Sequence, residues 1–108
     1  MRIFRTALIL TVLGLGGCTQ CERACRAEAN AYDACLRDWG QEWRDLGADD
    51  RDDYRETCTA TWNMYLDGLE SEARADEIGQ CGDLADDLVA ASDCDGYRAA
   101  LQAYGVVD

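Results

Sequence analysis

The chain has 108 residues, enough for one domain, and it carries 22 Asp and Glu residues against 10 arginines. It has seven cysteines but no lysine, histidine or proline. A chain without histidine cannot form a Ser-His or Cys-His nucleophile pair or a Cys2His2 zinc site. The formal net charge is -12, so the chain lacks the positively charged surface that nucleic-acid-binding proteins need. The composition favours helices over strands.

The N-terminal segment has the order of a secretory signal peptide. Arg2 and Arg5 precede an uncharged apolar stretch over residues 6–15, and small residues follow at 16 and 17. The uncharged stretch up to Cys18 has 13 residues, which is well short of the about 20 that a membrane span needs. The segment therefore predicts export rather than a transmembrane helix.

The sequence Leu15-Gly16-Gly17-Cys18 resembles the lipobox of bacterial lipoproteins. This resemblance implies cleavage before Cys18 and attachment of a diacylglyceryl group to its sulfur, which makes residues 1–17 the signal peptide. Residues 18–19 would be the lipidated N-terminus and a short tether. In bacterial lipoproteins an Asp after the lipidated cysteine favours retention in the inner membrane. The resemblance therefore implies that this chain, with Thr19 at that position, is an outer-membrane protein that faces the periplasm.

An ordinary cleaved signal peptide, with Cys18 as a seventh structural cysteine, is the alternative. Lipidation of Cys18 leaves six cysteines, an even set that suits disulfides in an exported protein.

The chain that remains after cleavage has 8 arginines against 22 acids, a net charge of -14. It is also poor in large aliphatic residues, so we expect disulfides to supply stability, typically about 2–4 kcal/mol each.

Residues 20–108 are predicted to form the domain, and its first element is a long amphipathic helix over 20–46. At about 100° per residue, one stripe collects most of the large apolar residues in this stretch. Gly40 is a weak point in this helix, and Gly47 lies where a C-terminal cap belongs. The stripe consists of Cys21, Tyr32, Cys35, Trp39 and Leu46, with Cys25, Leu36 and Trp43 at its edge.

A second helix is predicted over residues 50–75. Acids at 49, 50, 52 and 53 suit a helix N-terminus, and the apolar residues that follow recur at intervals of three and four. The short link between the two long helices predicts an antiparallel hairpin. The repeating residues are Tyr54, Cys58, Trp62, Tyr65 and Leu69.

The tail contains two similar units in which a cysteine is followed by an apolar residue at the third position and a leucine at the seventh. Each unit is predicted to be a short helix, beginning at Cys81 and at Cys94, with the break near Ser92 and Asp93. The expected fold is all-α: a small disulfide-stapled helical bundle, with a long antiparallel hairpin and two short C-terminal helices.

Six cysteines allow fifteen pairings, and only geometry can choose among them. A chain that folds back at Gly47 puts Cys35 opposite Cys58, so that disulfide is expected. Cys21 and Cys25, one helical turn apart, are poorly placed to bond each other and are expected to bond the tail. The preferred pairs there are Cys21–Cys81 and Cys25–Cys94.

No group of residues predicts catalysis, and the chain is not expected to be an enzyme or to hold a cofactor or metal. Cys81 and Cys94 at helix N-termini would have lowered thiol pKa values if reduced, but a CxxC pair is missing. The acidic segments 49–53 and 93–96 lack the spacing of a calcium loop, so they are interpreted as helix starts. Trp43, at the edge of its stripe, is a candidate for a contact patch.

Three functions remain open at this point. The first is a non-enzymatic, lipid-anchored envelope protein that serves as an interaction or structural module. The second is an acidic inhibitor or immunity-type protein that masks a basic periplasmic enzyme or toxin, because opposite charge accelerates encounter. The third is a thiol-redox or metal-handling protein. The expected partners are the membrane, through the lipid, and an unidentified protein, with no nucleic acid.

Overall fold

The computed structural model describes residues 19–108, so the predicted signal peptide and Cys18 lie outside the described residues. Within this range the chain is all-α and stapled by disulfides, which confirms the predicted fold class. No helix in this part of the chain is long and apolar enough to cross a membrane. The helices are α1 (Gln20–Cys35), a 3-10 helix (Trp43–Leu46), α2 (Arg51–Asp67), α3 (Ser71–Ala90) and α4 (Cys94–Ala103).

Helix α1 is shorter than the predicted helix over residues 20–46, because Gly40 ends the helical path. Gly40 has a φ of 69°, in the left-handed region that favours glycine. Its N–H donates to the Arg37 carbonyl at 3.1 Å, and the N–H of Gln41 donates to the Leu36 carbonyl at 2.9 Å. This pair of hydrogen bonds is a Schellman motif, which closes a helix C-terminus and turns the chain away.

Two tryptophans close to Gly40 pack onto Tyr32 of α1, Trp39 just before the glycine and Trp43 after the turn. The ring of Tyr32 lies 6.1 Å from the ring of Trp39 and 6.4 Å from that of Trp43. In one straight helix, eleven residues would separate Tyr32 and Trp43 by about 16 Å along the axis. The regular spacing of apolar residues over 20–46 therefore reflects the packing of Trp39 and Trp43 onto Tyr32, and it does not indicate one continuous helix.

The predicted helix over residues 50–75 is also wrong in length, because α2 ends at Asp67 and α3 begins at Ser71. The guanidinium of Arg74 holds this corner, since it donates to the carbonyl oxygens of Leu66 at 3.0 Å and Leu69 at 2.8 Å. Cations at a helix C-terminus satisfy carbonyls that have no partner within the helix.

The short helix predicted to begin at Cys81 is wrong as well, since Cys81 lies in the middle of the 20-residue helix α3. The break that precedes α3 occurs at Gly68, well before the cysteine. The prediction for α4 is confirmed, because the helix begins at Cys94 and Asp93 caps it. The Asp93 Oδ1 accepts a hydrogen bond from the Gly96 N–H at 2.8 Å.

The helices alternate in direction around α1. Cys25 of α1 bonds Cys58, and Glu28, further along α1, contacts Tyr54, earlier in α2, so these two helices are antiparallel as predicted. Short connections then return α3 alongside α1 and α4 alongside α3. Helix α1 is therefore the central element, in contact with each of the others.

Each of the three disulfides ties α1 to a different helix: Cys25–Cys58 to α2, Cys21–Cys81 to α3 and Cys35–Cys94 to α4. The predicted Cys21–Cys81 pair is confirmed. The predicted pairs Cys35–Cys58 and Cys25–Cys94 are wrong, because they assumed that both hairpin helices continue to Gly47. Residues 36–50 instead form the connection, so Cys58 meets a cysteine ten residues earlier in α1.

The core is thin, as the composition suggested. Small side chains and cysteines make up most of it, and the only large aliphatic or aromatic side chains that are buried among residues 19–108 are those of Tyr32 and five leucines. Each buried leucine contributes about 1.5–3 kcal/mol, which is modest against the ordering entropy of some 90 residues. The buried leucines are Leu36, Leu66, Leu84, Leu88 and Leu101.

Candidate functional site

Glu28 is the one charged side chain buried among the described residues, with 4% of its surface exposed. It lies on α1 in a seam whose members are spaced alternately by four and three residues, the spacing of a helix face that packs against neighbours. Carboxylates are almost never fully buried unless they are paired. The other seam residues are Cys21, Cys25, Tyr32 and Cys35.

Tyr54 of α2 supplies one partner for this carboxyl. Its hydroxyl donates to Glu28 Oε1 at 2.6 Å, while its ring packs edge-on against that of Tyr32 at 5.2 Å. Glu28 Oε2 has no hydrogen-bond partner within residues 19–108. The carboxyl is thus satisfied on one oxygen only.

Burial raises the pKa of Glu28 above its ordinary value, and the hydrogen bond from Tyr54 lowers it by a smaller amount. The pKa values of both tyrosines are raised, first by their own burial and second by the charge of Glu28. The tyrosine hydroxyls therefore stay protonated, which keeps Tyr54 a donor to the carboxyl.

Glu28 lines a cleft of about 310 Å³, which we call the Glu28 cleft. Its walls come from α1, α2, α3 and the segment after α4, and no arginine is among the described residues that line it. The apolar walls are the side chains of Trp62, Leu84 and Val106, and Glu77 and Gln80 add polar groups. A volume of this size lies at the lower end of the range for small-molecule sites.

The segment after α4 forms one wall because Tyr104 and Gly105 hold it there. The Tyr104 hydroxyl donates to Asp87 Oδ2 at 2.8 Å, and this hydrogen bond is the largest of the effects that raise the pKa of Tyr104. Gly105 has a φ of 74°, and beyond it the Val106 N–H donates to the Leu101 carbonyl at 2.9 Å. The cleft therefore depends on α4 keeping its position.

The structure places Trp43, the predicted contact residue, outside the Glu28 cleft. Trp43 is partly buried, with its ring 6.4 Å from Tyr32 and 6.1 Å from Tyr54, so part of its surface belongs to the core. The rest faces a separate shallow hollow that Arg37 and Glu42 also line. Its role as a contact residue stays a prediction. Met64 of α2, with 77% of its surface exposed, is more open.

The acidic residues and cysteines that were considered for metal or redox chemistry have structural roles. Asp50 and Asp93 cap α2 and α4 through hydrogen bonds to backbone N–H groups, as interpreted from sequence. Cys81 is not at a helix N-terminus, and Cys94, which is, bonds Cys35. Within residues 19–108, no three His, Cys, Asp or Glu side chains are grouped so that they could hold a metal ion.

Sequence reasoning missed Glu28 and Tyr54. The signal for Glu28 was present, since an acid three residues after Cys25 and four before Tyr32 falls in the apolar seam of α1. Tyr54 was identified only as part of an apolar face, because its hydroxyl partner lies on another helix.

No protein-family model, curated protein or solved structure matches this chain.

Proposed function

We propose that this protein is a non-enzymatic, lipid-anchored module of a bacterial envelope that works by contact. The observation that carries the proposal is that Cys18, the last residue of the lipobox-like sequence, comes immediately before the start of the folded domain in the sequence. Thr19 caps α1 with its hydroxyl, which accepts from the Glu22 N–H at 3.2 Å, and the helix begins at Gln20. The three disulfides suit an oxidising compartment outside the cytoplasm.

This arrangement leaves almost no tether between lipid and domain. One residue spans at most about 3.6 Å, so an acylated Cys18 would hold the start of α1 against the bilayer surface. The C-terminal end of α2 lies at the same end of the bundle, because α1 and α2 are antiparallel. The exposed Met64 and Tyr65 are at that end and would lie near the headgroups.

Acylation would provide the attachment without help from basic residues, at about 0.8 kcal/mol per buried CH2 group. That matters for this chain, whose 22 acids face 8 arginines after residue 18. An acidic surface is repelled by anionic lipids, so the lipid rather than the protein surface would hold the domain at the membrane.

Metabolic labelling with a palmitate analogue tests the anchor. We expect label and membrane fractionation in the wild type and neither in Cys18→Ala, while Cys21→Ala/Cys81→Ala, which removes a disulfide, should remain labelled. Label that persists in Cys18→Ala would overturn the anchor, and so would a wild-type protein that fractionates entirely with the soluble periplasm.

The acidic inhibitor or immunity-type function is the second proposal, and the scarcity of ion pairs favours it. Within residues 19–108 only three acids lie in salt bridges, and these are Asp86, Glu42 and Asp52. Most of the other carboxylates are exposed, and they offer an unneutralised surface that would speed encounter with a basic partner. Capture of a basic periplasmic protein at low salt, with release at 0.5 M salt, would support this role. Binding that ignores salt would contradict it.

A further inference from the structure

The Glu28 cleft combines a buried carboxyl with an apolar lining. We propose that it binds a primary ammonium group on an unbranched apolar stem, as in a free alkylamine or in a lysine side chain of a partner protein. Every residue that carries this inference lies in the disulfide-bonded domain. The inference therefore holds with or without the lipid anchor.

The first reason is unbalanced charge. Glu28 is 4% exposed, and its Oε2 has no hydrogen-bond partner within residues 19–108. Glu77 lines the same cleft, and no positively charged side chain in the described chain does so. A buried carboxylate is costly unless a cation or hydrogen-bond donors compensate it, so a cationic ligand would receive a large share of its affinity from Glu28.

The second reason distinguishes an ammonium from a guanidinium. A guanidinium binds a carboxylate best through two parallel hydrogen bonds, which need both oxygens. Tyr54, which is not part of the cleft lining, already donates to Glu28 Oε1 at 2.6 Å. A single free oxygen suits the compact ammonium group, which is a point charge with three donors.

The third reason is the lining beside the carboxyl. Trp62, Leu84 and Val106 form apolar walls that would cover a chain of methylene groups. Trp62 is one of the lining residues, and the face of an indole ring attracts a cation that lies within about 6 Å of its centre. Gln80 adds an amide oxygen that can accept a second hydrogen bond from the ammonium. A cleft of about 310 Å³ has room for a stem of lysine length.

The test uses the oxidised domain and n-pentylamine as the probe, with the indole N–H signal of Trp62 followed by NMR. n-Pentanol, which has the same stem without the charge, is the first control, and n-butylguanidine is the second. We expect saturable shifts of the Trp62 signal with pentylamine at a millimolar Kd, the range expected for so small a ligand. Both control ligands should bind at least about tenfold more weakly.

Glu28→Gln keeps the shape of the side chain and an oxygen for Tyr54, so we expect it to fold and to bind pentylamine at least about tenfold more weakly. Glu22→Gln removes an identical charge on the same helix outside the cleft, and it should bind like the wild type. Circular dichroism checks that both variants are folded. If Glu28→Gln did not fold, the comparison of pentylamine with pentanol in the wild type would still decide the matter.

Equal binding of pentanol and pentylamine would overturn the proposal, as would full binding by Glu28→Gln or a butylguanidine affinity that matches pentylamine. Short peptides separate the two sources of the ammonium. A peptide with one lysine that binds more tightly than pentylamine, and loses binding when that lysine is acetylated, would identify a partner side chain. A free amine that binds as tightly as the peptide would identify a small-molecule ligand.

Discussion

The Cys35–Cys94 disulfide is the covalent link between the end of α1 and the start of α4. We expect Cys35→Ala/Cys94→Ala to release α4 while α1, α2 and α3 stay folded. Leu101 is the one buried side chain of α4, so without the disulfide this helix depends on Leu101 and a few half-buried neighbours. The variant tests whether each disulfide holds one helix onto α1.

The size of the effect follows from the loop that this disulfide closes. Its cysteines are 59 residues apart, and the loop-entropy relation gives about 4 kcal/mol for a loop of that size. Loss of that amount changes the equilibrium between the folded and the unfolded domain by about a thousandfold, and the local release of α4 follows from the loss of its one disulfide to α1. The burial of Leu101 is worth only about 1.5–3 kcal/mol, so it cannot replace the disulfide.

Amide hydrogen exchange measured by NMR distinguishes local release from general loss of stability. We expect residues 94–103 to lose most of their protection in Cys35→Ala/Cys94→Ala, while α1 and α3 keep theirs. Cys25→Ala/Cys58→Ala is the matched control, in which residues 51–67 should lose protection instead. Uniform loss across the whole domain in both variants, or an α4 that stays protected, would refute the reasoning.

Four substitutions test the buried carboxyl and the backbone requirements at two glycines. Burial raises the pKa of Glu28 in the folded state above its unfolded value near 4.5. The protonated carboxyl therefore stabilises the fold fully below pH 4.5, and this stabilisation is lost as the pH rises through the folded-state pKa. Glu28→Gln should therefore unfold at higher denaturant than wild type at pH 8, with the gap closing below about pH 4, and the Glu22→Gln control should show no such gap. Tyr54→Phe removes the donor to Glu28 and should cost about 1.5–3 kcal/mol at pH 8 by urea denaturation, and less at pH 4. Gly40→Ala should cost about 1–2 kcal/mol by the same assay because of its positive φ, whereas Gly79→Ala, inside α3 with open space around it, should stabilise by up to about 1 kcal/mol.

The existence of the helices was predictable because apolar spacing and capping residues are local. The starts of α2 and α4 follow from Asp50 and Asp93, whose side chains need only the next few N–H groups. The end of α1 was harder, since a glycine within a periodic pattern is compatible with a helix. What decides at Gly40 is the packing of Trp39 and Trp43 onto Tyr32, which involves the tertiary structure.

The disulfide pairing shows how one local error spreads. Sequence reasoning correctly paired each cysteine of α1 with one outside α1, because Cys21 and Cys25 were unlikely to bond each other. The choice of partner depended on register, and register depended on where the hairpin turned. Once residues 36–50 form the connection, Cys25 replaces Cys35 opposite Cys58, and Cys35 is left beside the start of α4.

Glu28 connects the weak core to the cleft. A leucine at this seam position would bury more apolar surface and fill part of the space between α1 and the segment after α4. A carboxyl there lowers stability, because ionisation of a buried group with one hydrogen bond opposes folding. The disulfides reduce the entropy of the unfolded chain by an amount that does not depend on how the core is filled. Three disulfides, one from α1 to each neighbouring helix, offset the destabilisation caused by Glu28 in the packed face of α1. Glu28 in turn gives the cleft its preference for a cation.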